Sequence, residues 1–588
     1  MHAGETPEWR DHARLAGRRR LAQALGELTF EGLLHPRPLG DGRYALDLSD
    51  RTFYQFSARP SAWGGLHVEP EGIERRVGDG PGEPADSPVQ LILDARAELG
   101  VAPEVLAEFI EELHNSVLAE VGQCARLTNL PASQLAALSG AALEQHLDGH
   151  PKLLAHRGRV GWGTDDLARF APEAAARVQL HWLVVAPELA RCSGLAGPGR
   201  WQIVDESCDA DARARLDEQL HARAPGLASS GVLVPVHPWQ WQRHLAAQYV
   251  EHLARGAIVS LGQFGDSYAP RLSIRTLADV TRPERADVKL ALTILNTSCW
   301  RGLPGEHIEH GVDIGAALRR RVAADRLLHG VHVLGDLGGV HVPQPAFESL
   351  GAAPYRLREQ LGALWRESGP SRIGLDAQEV PAAALQQTDL AGEPLLRTWV
   401  EQSGVTVEAW LTALFERTAV PLYHLLCRHG IGVIAHGQNL GLVLRRGLPV
   451  AILLRDVHGD VRRVDDDRFD HEPALARLKA LPAGQIVHDL YTGYFVSVLR
   501  FVAPLVERGF GLREREFLRL LSRALRGYCE SRPGEATARF DLFRPEMERI
   551  CLNRARLRIG HGGGASRPLP ALGPPLRNPL VWEVDDER

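Results

Sequence analysis

The stretch that most constrains the fold runs from Gly430 to Asp456, where three apolar segments alternate with short polar ones. GIGVI, LGLVL and PVAILL are short, apolar and bounded by glycine or charged residues, which is typical of buried strands. The last two segments flank Gly447-Leu448-Pro449 and predict a hairpin. A helix ending in CRHG should therefore lead into a strand, a polar turn and a hairpin, which brings Asn439 and Asp456 to neighbouring strand ends.

The polar residues of this stretch could hold a metal ion. An amide oxygen from Asn439 and a carboxylate from Asp456 are hard ligands of the kind Mg²⁺ prefers. Protein kinases place an Asn after their catalytic loop and an Asp after a hairpin in a similar local order. The alternative is a capped turn, because Asn and Asp are common at strand ends. His436 and Gln438 complete the polar set under either interpretation.

A second polar cluster lies upstream, in two segments that predict paired strands, residues 269–280 and 287–304. In a regular strand Ser273 and Arg275 lie on one face. Lys289, Thr293 and Thr297 are an even number of residues apart, so they would also lie on one common face. Arginine offers a fork for carboxylate or phosphate, and lysine a point charge. The pattern indicates an anion site, and the alternative is a solvated strand face. The chain has no Walker A loop and no dinucleotide fingerprint, so a nucleotide would be held by side chains such as these.

The rest of the chain predicts a mixture of helices and strands. Helical spacing is found in residues 11–35, 103–130, 135–148, 314–366 and 473–531, and two helices are expected in 395–430. Val178–Val185 and Gly231–Val236 are predicted strands, and His237-Pro238 should start a helix. Residues 302–311 are predicted to form a loop, a boundary is expected within 367–391, and the Gly/Pro-rich tail should be extended. No internal repeat is found.

Length and charge narrow the class of protein. A chain of 588 residues is too long for one core, so two to four domains or subdomains are expected. The formal net charge of −6 argues against nucleic acid or an anionic membrane as the main partner. The charged N-terminal residues do not form a secretory signal, and no apolar run could span a bilayer. Seven scattered cysteines fit a reducing compartment, so a cytoplasmic protein is predicted.

Several of these segments occur together, and in this order, in one family. They are GHPKLLAHRGRVGW (149–162) with FAPE (170–173), VHPWQWQ (236–242), SIRT (273–276), KLALTILNTSCWRGLP (289–304), AHGQN (435–439) and RD (455–456). From about Leu135 to Gly560 the chain resembles the NRPS-independent siderophore synthetases, the IucA/IucC or aerobactin-synthase-like family. Its C-terminal part also resembles the ferric-reductase-like region of these enzymes.

The resemblance implies an α+β fold shaped like a cupped hand, with antiparallel sheets and a largely helical C-terminal palm. The expected regions are a thumb (1–185), fingers (186–385) and a palm (386–588), with the site between fingers and palm. The implied reaction uses ATP and Mg²⁺ to adenylate a carboxylate of citrate or a related polycarboxylate, with loss of pyrophosphate. An amine or hydroxyl then attacks to form an amide or ester, and AMP leaves. A homodimer is expected from the same likeness.

The resemblance also assigns roles to individual residues. The ATP-binding positions are Ser273, Arg275, Thr276, Lys289, Gln438, Asn439 and Asp456, of which Asn439 and Asp456 also serve the metal. The substrate-binding positions are His150, Thr297, Arg301 and His436, and the catalytic set is Lys289, Arg301 and His436. Many relatives carry an acidic residue where this chain has Ile434, which removes one possible metal ligand. Many also carry a second His-Pro followed by Lys in the first motif, where His156 and Arg157 are the candidate replacements.

Other polar or aromatic groups have ordinary explanations. The run from Glu306 to His310 lacks the HExxH order and is predicted to be a surface loop. Trp239 and Trp241 are expected in a core, Glu173 at a helix cap, and Cys299 as a packing thiol.

The alternative functions are the same chemistry on 2-oxoglutarate or a citrate derivative, and a non-catalytic protein that binds a nucleotide or a ferric siderophore. An iron–sulfur reductase would need clustered cysteines, which the sequence lacks.

Overall fold

The computed structural model describes residues 6–197, 201–297, 299–374, 376–532, 536–560 and 571–581. Helices and antiparallel sheets are mixed along the chain, and helices dominate its C-terminal third. The fold class predicted from the sequence is confirmed. No described helix has both the length and the apolar character that crossing a membrane requires. All seven cysteines lie in the described ranges, and none forms a disulfide.

The N-terminal region packs two long helices, Pro7–Phe30 and Pro103–Leu127, beside a small antiparallel sheet. The first helix begins where the Thr6 hydroxyl accepts a hydrogen bond from Trp9 N at 3.2 Å, with proline in the first turn. The described strands of this sheet are Arg37–Gly40, Arg43–Asp47, Thr52–Pro60, Leu66–Val68, Glu74–Val77 and Glu83–Pro84.

Eight of the described strands form one antiparallel sheet, here called the central sheet. Their order across the sheet is Arg191–Gly194, Asp336–His341, Gly362–Arg366, Asp287–Leu290, Thr276–Asp279, Ile258–Pro270, Val178–Val185 and Val232–Val236. Lys289 lies inside this sheet, opposite Thr276 on one neighbour and Leu364 on the other. Backbone pairing on both sides therefore fixes the position from which its side chain projects.

A second sheet, here called the palm sheet, contains the hairpin that the sequence predicts. Among the described residues its strands are, in order, Val331–Val333, Leu448–Leu454, Leu440–Arg445 and Gln378–Pro381. The first pair is parallel and the other pairs are antiparallel. Two of these strands precede residue 386, so the palm sheet draws on both sides of the boundary proposed between fingers and palm.

Smaller sheets and many helices complete the described structure. The smaller sheets pair Leu292–Asn296 with Cys299–Arg301, Ile431–Val433 with Val461–Val464 and Ala480–Leu481, and Glu546–Cys551 with Ala571–Arg577. The other α-helices are Pro88–Asp94, Arg96–Leu99, Ala132–Ala136, Gly140–Glu144, Thr164–Phe170, Gln202–Asp205, Ala210–Arg223, Pro238–Gln240, Ala246–Gln248, Val250–Ala254, Gly305–Ala323, Pro345–Glu348, Tyr355–Arg358, Gly369–Ile373, Leu395–Ser403, Val407–Arg417, Ala419–His429, Val457–Asp460, Pro473–Ala476, Ala483–Leu490, Arg500–Phe510, Glu514–Ser531 and Leu552–Ile559. Trp241–Leu245 and Tyr491–Leu499 are π-helical.

Large hydrophobic clusters hold these layers together. One surrounds the central sheet and includes Trp182, Tyr268 and Trp365. Another joins the palm sheet to the C-terminal helices through residues such as Trp410 and Phe415. The two sheets therefore belong to separate cores, and a polar site can form where their edges meet.

Several predicted elements are confirmed. Val178–Val185 is a strand, and Val232–Val236 ends at His237, whose ring accepts a hydrogen bond from Trp239 N at 3.2 Å and caps the next helix. The helix Ala419–His429 ends at Gly430 with φ 65°, a left-handed conformation that glycine adopts without strain. The strand and hairpin after it follow as predicted.

Other predictions are wrong because distant contacts decided the local structure. The helix predicted over 135–148 is two short helices, interrupted where Gly140 adopts φ 50° and approaches Glu379. The loop predicted at 302–311 lies largely in the helix Gly305–Ala323. Residues 331–366 contain three strands in place of helix, since their pairing partners are remote in sequence.

The C-terminal half also differs from the prediction in two places. Residues 395–430 form three helices where two are predicted, and the second break falls at Thr418. In the tail, Ala571–Arg577 is extended, but it pairs with Glu546–Cys551 as a strand. The remaining tail residues, 561–570 and 582–588, lie outside the described residues.

Candidate active site

Asn439 and Asp456 lie at the same end of the palm-sheet hairpin. Leu440 pairs with Leu454, and Arg455 N donates to Asn439 O at 3.0 Å. The strand ends are therefore adjacent, as the hairpin pattern predicts. Asp456 has φ 55°, a left-handed conformation that costs a non-glycine residue about 1–3 kcal/mol and persists only where surrounding contacts outweigh that cost. The central sheet provides such contacts.

Lys289 and Arg366 of the central sheet both contact Asp456. Lys289 Nζ lies 2.6 Å from Asp456 Oδ1, and Arg366 Nη2 lies 3.2 Å from the same oxygen. Arg366 also donates from Nε to Asp336 at 2.8 Å, which fixes its guanidinium. Two cations of one sheet thus meet the carboxylate at the open end of the other sheet's hairpin, opposite its turn.

The charges and the burial at this contact keep the Asp456 carboxylate ionised and lower the pKa of Lys289. Burial opposes ionisation of Asp456, but Lys289 and Arg366 outweigh it and hold the pKa of Asp456 well below its ordinary value. Burial, reinforced by Arg275 and Arg366, lowers the pKa of Lys289 to about 8 although Asp456 opposes that change. Three cationic side chains, Lys289, Arg366 and Arg275, therefore act on this carboxylate and could also offset the charge of an anionic ligand.

The SIRT segment is a turn and not a strand. Ile274 has φ 67°, and Ser273 Oγ accepts a hydrogen bond from Thr276 N at 3.1 Å, so the sequence is wrong in placing Ser273 and Arg275 on one strand face. Of Ser273, Arg275 and Thr276, only Thr276 lies in a strand, Thr276–Asp279. Arg275 donates to Gly302 O, and its charge acts on both Lys289 and Asp456. The turn therefore holds Arg275 beside the ion pair.

Thr297 and Arg301 belong to a separate small hairpin. The strand holding Lys289 ends at Leu290, and Leu292–Asn296 pairs instead with Cys299–Arg301. The predicted common face of Lys289 and Thr297 is therefore lost. Thr297 has φ 49° at the turn, and Arg301 Nη2 donates to Asn296 O at 2.7 Å. Thr297 and Arg301 therefore belong to the same small hairpin, which sets their positions relative to each other.

Gln240 of the VHPWQWQ segment attaches this hairpin to the core. Its Nε2 donates to Thr293 Oγ1, and Thr293 N donates to its Oε1, both at 2.8 Å. Trp239 is buried and packs edge-on against Trp162 at 6.0 Å between ring centroids, as expected for a core residue. Trp241 is half-buried, stacks on His181 at 5.0 Å and packs against the edge of the same core.

His150 of the N-terminal region lies close to His436, which precedes the palm-sheet hairpin. Their ring centroids are 6.2 Å apart in an edge-to-face arrangement. In each residue Nδ1 accepts a hydrogen bond from the backbone N two residues later, at 3.2 Å for His150 and 3.3 Å for His436. A neutral imidazole with Nδ1 as acceptor carries its proton on Nε2. Both rings are therefore set to donate from Nε2.

Four residues near the ion pair were not assigned to the site from the sequence: Arg366, His307, His458 and Asp460. The rings of His307 and His458 are 4.0 Å apart. Burial, then the charges of His458 and Lys289, lower the pKa of His307 to about 2. His458 Nδ1 is buried and has no hydrogen-bond partner among the described residues. His307 lies on the helix that the sequence takes for a loop, and helical spacing in 305–323 could have revealed it.

The oxygen donors at the open end of the palm-sheet hairpin fit Mg²⁺. Asn439 Nδ2 donates to Asp460 Oδ2 at 2.5 Å, which leaves the amide Oδ1 as the donor atom for a cation. The Ile434 side chain offers no ligand, but Ile434 N donates to Asp460 O at 2.9 Å, so Asp460 supplies a carboxylate close to that position. Two carboxylates and an amide oxygen form the hard set that Mg²⁺ takes together with water.

Other motif residues lie in the interior as structural groups. Arg159 donates to Glu173 through both terminal nitrogens, so Glu173 is an ion-pair partner and not the predicted cap. Arg157 binds Glu120 at 3.4 Å and Leu147 O at 2.8 Å, while His156 is buried against Arg20. A cavity of about 680 Å³ lined by Leu33, Leu99, Val105 and Arg558, among others, contains none of the predicted site residues.

A buried ionic cluster lies directly behind Asp456. Arg455 Nη1 binds Glu144 Oε1 at 2.9 Å and also contacts Glu379. Arg271 binds Glu144 at 2.8 Å and Asp287 at 2.7 Å. These residues come from the N-terminal region, the central sheet and the palm, so the cluster fixes the two sheets relative to each other.

Comparisons with known proteins agree with this architecture. The model of the IucA / IucC family matches residues 139–387, and the model of the ferric iron reductase FhuF-like transporter matches residues 408–564. Aerobactin synthase of Escherichia coli is 36% identical over 97% of this chain and 98% of its own length.

Solved structures give the same result. The aerobactin synthetase IucC of a hypervirulent Klebsiella pneumoniae has a TM-score of 0.85 and 33% identity, and the match covers 97% of this chain and 99% of that one. The ATP-bound aerobactin synthetase IucA of the same pathotype has a TM-score of 0.75 at 17% identity, covering 95% of this chain and 99% of that one, which shows a shared fold.

Proposed function

The chain belongs to the IucA/IucC family of ATP-dependent siderophore synthetases, and we propose that its substrate acid is citrate or a close relative. In the proposed first step a carboxylate oxygen attacks the α-phosphorus of ATP, and the bond to the β-phosphate breaks with release of pyrophosphate. In the second step an amine or hydroxyl attacks the acyl carbon, loses its proton, and expels AMP. The product is an amide or an ester.

The contact of Lys289 and Arg366 with Asp456 carries this proposal. Two polyanions can share a cleft only if cations compensate them, since their repulsion costs several kcal/mol in a poorly solvated site. Lys289, Arg275 and Arg366 supply that charge at the place where the hairpin offers oxygen donors. We assign the phosphates to Ser273, Arg275, Thr276 and Lys289, with Gln438 and Asn439 on the palm side.

We assign the carboxylates of the acid to His150, Thr297, Arg301 and His436. The tautomer fixed by the Gln438 N hydrogen bond makes His436 Nε2 a donor. That atom suits a developing negative charge on the acyl oxygen better than it suits proton abstraction. Arg301, with its planar fork, can span carboxylate and phosphate.

We assign Mg²⁺ to Asp456, Asn439 and Asp460. When bound, the ion would offset phosphate charge and orient the transferring group.

The decisive test is citrate-dependent pyrophosphate release with hydroxylamine as the trapping amine. We expect wild-type protein to form a hydroxamate with citrate and to release pyrophosphate and AMP. Arg301→Ala should abolish both, while Arg397→Ala, an exposed arginine on the helix Leu395–Ser403, should behave as wild type. Near-normal turnover in Arg301→Ala would overturn the assignment, provided that its circular dichroism is unchanged.

The same assay separates the alternatives. A panel of citrate, 2-oxoglutarate and citrate monoamides identifies the acid, and a panel of diamines, amino alcohols and hydroxylated amines identifies the nucleophile. Nucleotide binding without pyrophosphate release from any acid would favour the non-catalytic alternative. The proposed homodimer is tested by light scattering of the purified chain.

A further inference from the structure

Asp325, His424 and His429 form a cluster outside the site described above. His424 Nε2 lies 2.8 Å and His429 Nε2 lies 3.0 Å from the same carboxylate oxygen, Asp325 Oδ2. The three donor atoms all lie within 4.8 Å of one another, and no other such group is found in the described part of the chain. None of the three residues contacts the Lys289–Asp456 pair.

The local fold aims each of these atoms at a common point. Asp325 follows the helix Gly305–Ala323, and its Oδ1 accepts a hydrogen bond from Leu327 N at 3.0 Å, which directs Oδ2 toward the imidazoles. His424 and His429 lie on the helix Ala419–His429, whose C-terminal glycine ends it directly after His429. His429 O accepts from Arg321 Nη1 at 3.2 Å, so the last turn is held in place.

We propose that Asp325 Oδ2, His424 Nε2 and His429 Nε2 form a binding site for a divalent transition metal, with Zn²⁺ as the best-matched ion. Two imidazoles and one carboxylate are a common Zn²⁺ set, with bonds of about 2.0–2.2 Å. A tetrahedral ion with such bonds separates its ligands by roughly 3.4 Å. The present separations of 2.8 and 3.0 Å need to open by only about half an ångström, which rotamer adjustment allows.

The surroundings of the cluster have the features of a metal site. His424 is fully buried, and its Nδ1 lies 2.9 Å from Tyr528 Oη, a partner that would orient the ligating ring. The nearby cation, Arg321, is itself paired with Glu472, which reduces its repulsion of a metal. Asp325 and His429 are partly exposed, at 20% and 16% of their side chains, so a water molecule can complete the coordination.

The role of such an ion would be structural. It would join the end of the Gly305–Ala323 helix to the palm helix Ala419–His429, and through Tyr528 to the helix Glu514–Ser531. The other end of the first helix carries His307 beside the candidate active site. A metal here would therefore fix one wall of that site from a distance.

Metal binding tests the proposal without reference to activity. The metal-stripped full-length protein is dialysed against Zn²⁺ or Co²⁺ in excess Mg²⁺, which saturates oxygen-rich sites, and bound metal is measured by mass spectrometry. We expect one Zn²⁺ per chain and, with Co²⁺, the visible absorption of a four-coordinate ion. Tyr528→Phe should weaken binding roughly 10–100-fold. Asp325→Asn and His429→Gln should remove one equivalent of metal and the absorption.

The matched control is His488→Gln. His488 forms a similar imidazole–carboxylate pair with Glu548 at 2.9 Å, but no described residue adds a third ligand. His488→Gln should therefore not change the metal content. Absence of Co²⁺ absorption in the wild type, or equal binding in wild type and His429→Gln, overturns the proposal. In that case Asp325 accepts two ordinary hydrogen bonds. Neither result affects the interpretation of the pyrophosphate assay, so each proposal can be disproved without disproving the other.

Discussion

At the scale of single residues, Lys289 is the group whose charge state matters most. It is buried in the middle of a sheet, yet its ammonium group contacts Asp456 at 2.6 Å. Burial lowers its pKa from 10.5 to about 8, so the amine loses its proton slightly above neutral pH. A neutral amine cannot offset phosphate charge, and the proposed reaction should be sensitive to this titration.

We expect kcat/KM for citrate-dependent pyrophosphate release to fall as the pH rises through about 8, because kcat/KM follows the protonation of the free enzyme. Stability should respond with the opposite sign. Between pH 8 and 10.5 the unfolded chain holds this proton more tightly, so the free energy of unfolding rises with pH. In Lys289→Arg, which stays charged, both effects should disappear. Identical pH–rate profiles for the two proteins would contradict the assignment.

His436 gives a second prediction at this scale. If Nε2–H stabilises a developing oxyanion, His436→Ala should lower kcat for hydroxamate formation by about 10²–10³, with a smaller effect on KM. His244→Ala, which removes a half-buried imidazole elsewhere, is the control. A change confined to KM would mean that His436 only binds substrate.

At the scale of elements, the AHGQN turn depends on close packing against a neighbouring segment. Gly437 O accepts a hydrogen bond from Ala383 N at 2.9 Å, and a Cβ added at Gly437 would lie 2.9 Å from Ala383 Cα. A larger residue than glycine would therefore clash with Ala383 at this position of the motif. Glycine lets the turn rest on Ala382–Gln386, while His436 and Gln438 on either side of the glycine are half-buried.

Gly437→Ala should accordingly destabilise the protein by about 1–3 kcal/mol, the usual cost of overpacking. Displacement of the turn should also reduce adenylation. Gly484→Ala is the matched control, because no atom lies within 4 Å of an added Cβ and alanine favours its helix. Urea unfolding measures both effects. A stable and fully active Gly437→Ala would show that the turn is not anchored by this contact.

At the scale of the whole molecule, the site depends on how three regions are held together. Glu144 of the N-terminal region accepts hydrogen bonds from Arg271 of the central sheet segment and Arg455 of the palm. These opposite charges come together only when all three regions meet. Removing Glu144 takes one ion-pair partner from each of the two buried arginines, and breaking a buried ion pair costs about 3–5 kcal/mol.

Glu144→Ala should lower the urea midpoint by an amount that corresponds to this loss, and should lower activity by moving Asp456 relative to Lys289. The control is Glu401→Ala, since Glu401 pairs with Arg397 on an exposed helix face and its removal should be close to neutral. Equal midpoints for the two variants would mean that the cluster does not join the regions.

The sequence alone predicted the elements whose pattern is local. The palm hairpin and the Val178–Val185 strand are buried apolar runs bounded by turn residues, and the hairpin alone placed Asn439 beside Asp456. Family likeness supplied the chemistry, because the order of the motifs is conspicuous even when their geometry is unknown.

Only the tertiary structure decided the rest. The helix predicted over 135–148 is interrupted before Gly140, which lies close to Glu379. Strands within 331–366 form by pairing with segments far along the chain, as Val331 does with Ile452 and Arg366 with Asp287. Arg366 and Asp460 joined the candidate site for the same reason. Long-range pairing and the burial of charge depend on which surfaces meet in three dimensions, and a local sequence pattern does not specify which surfaces these are.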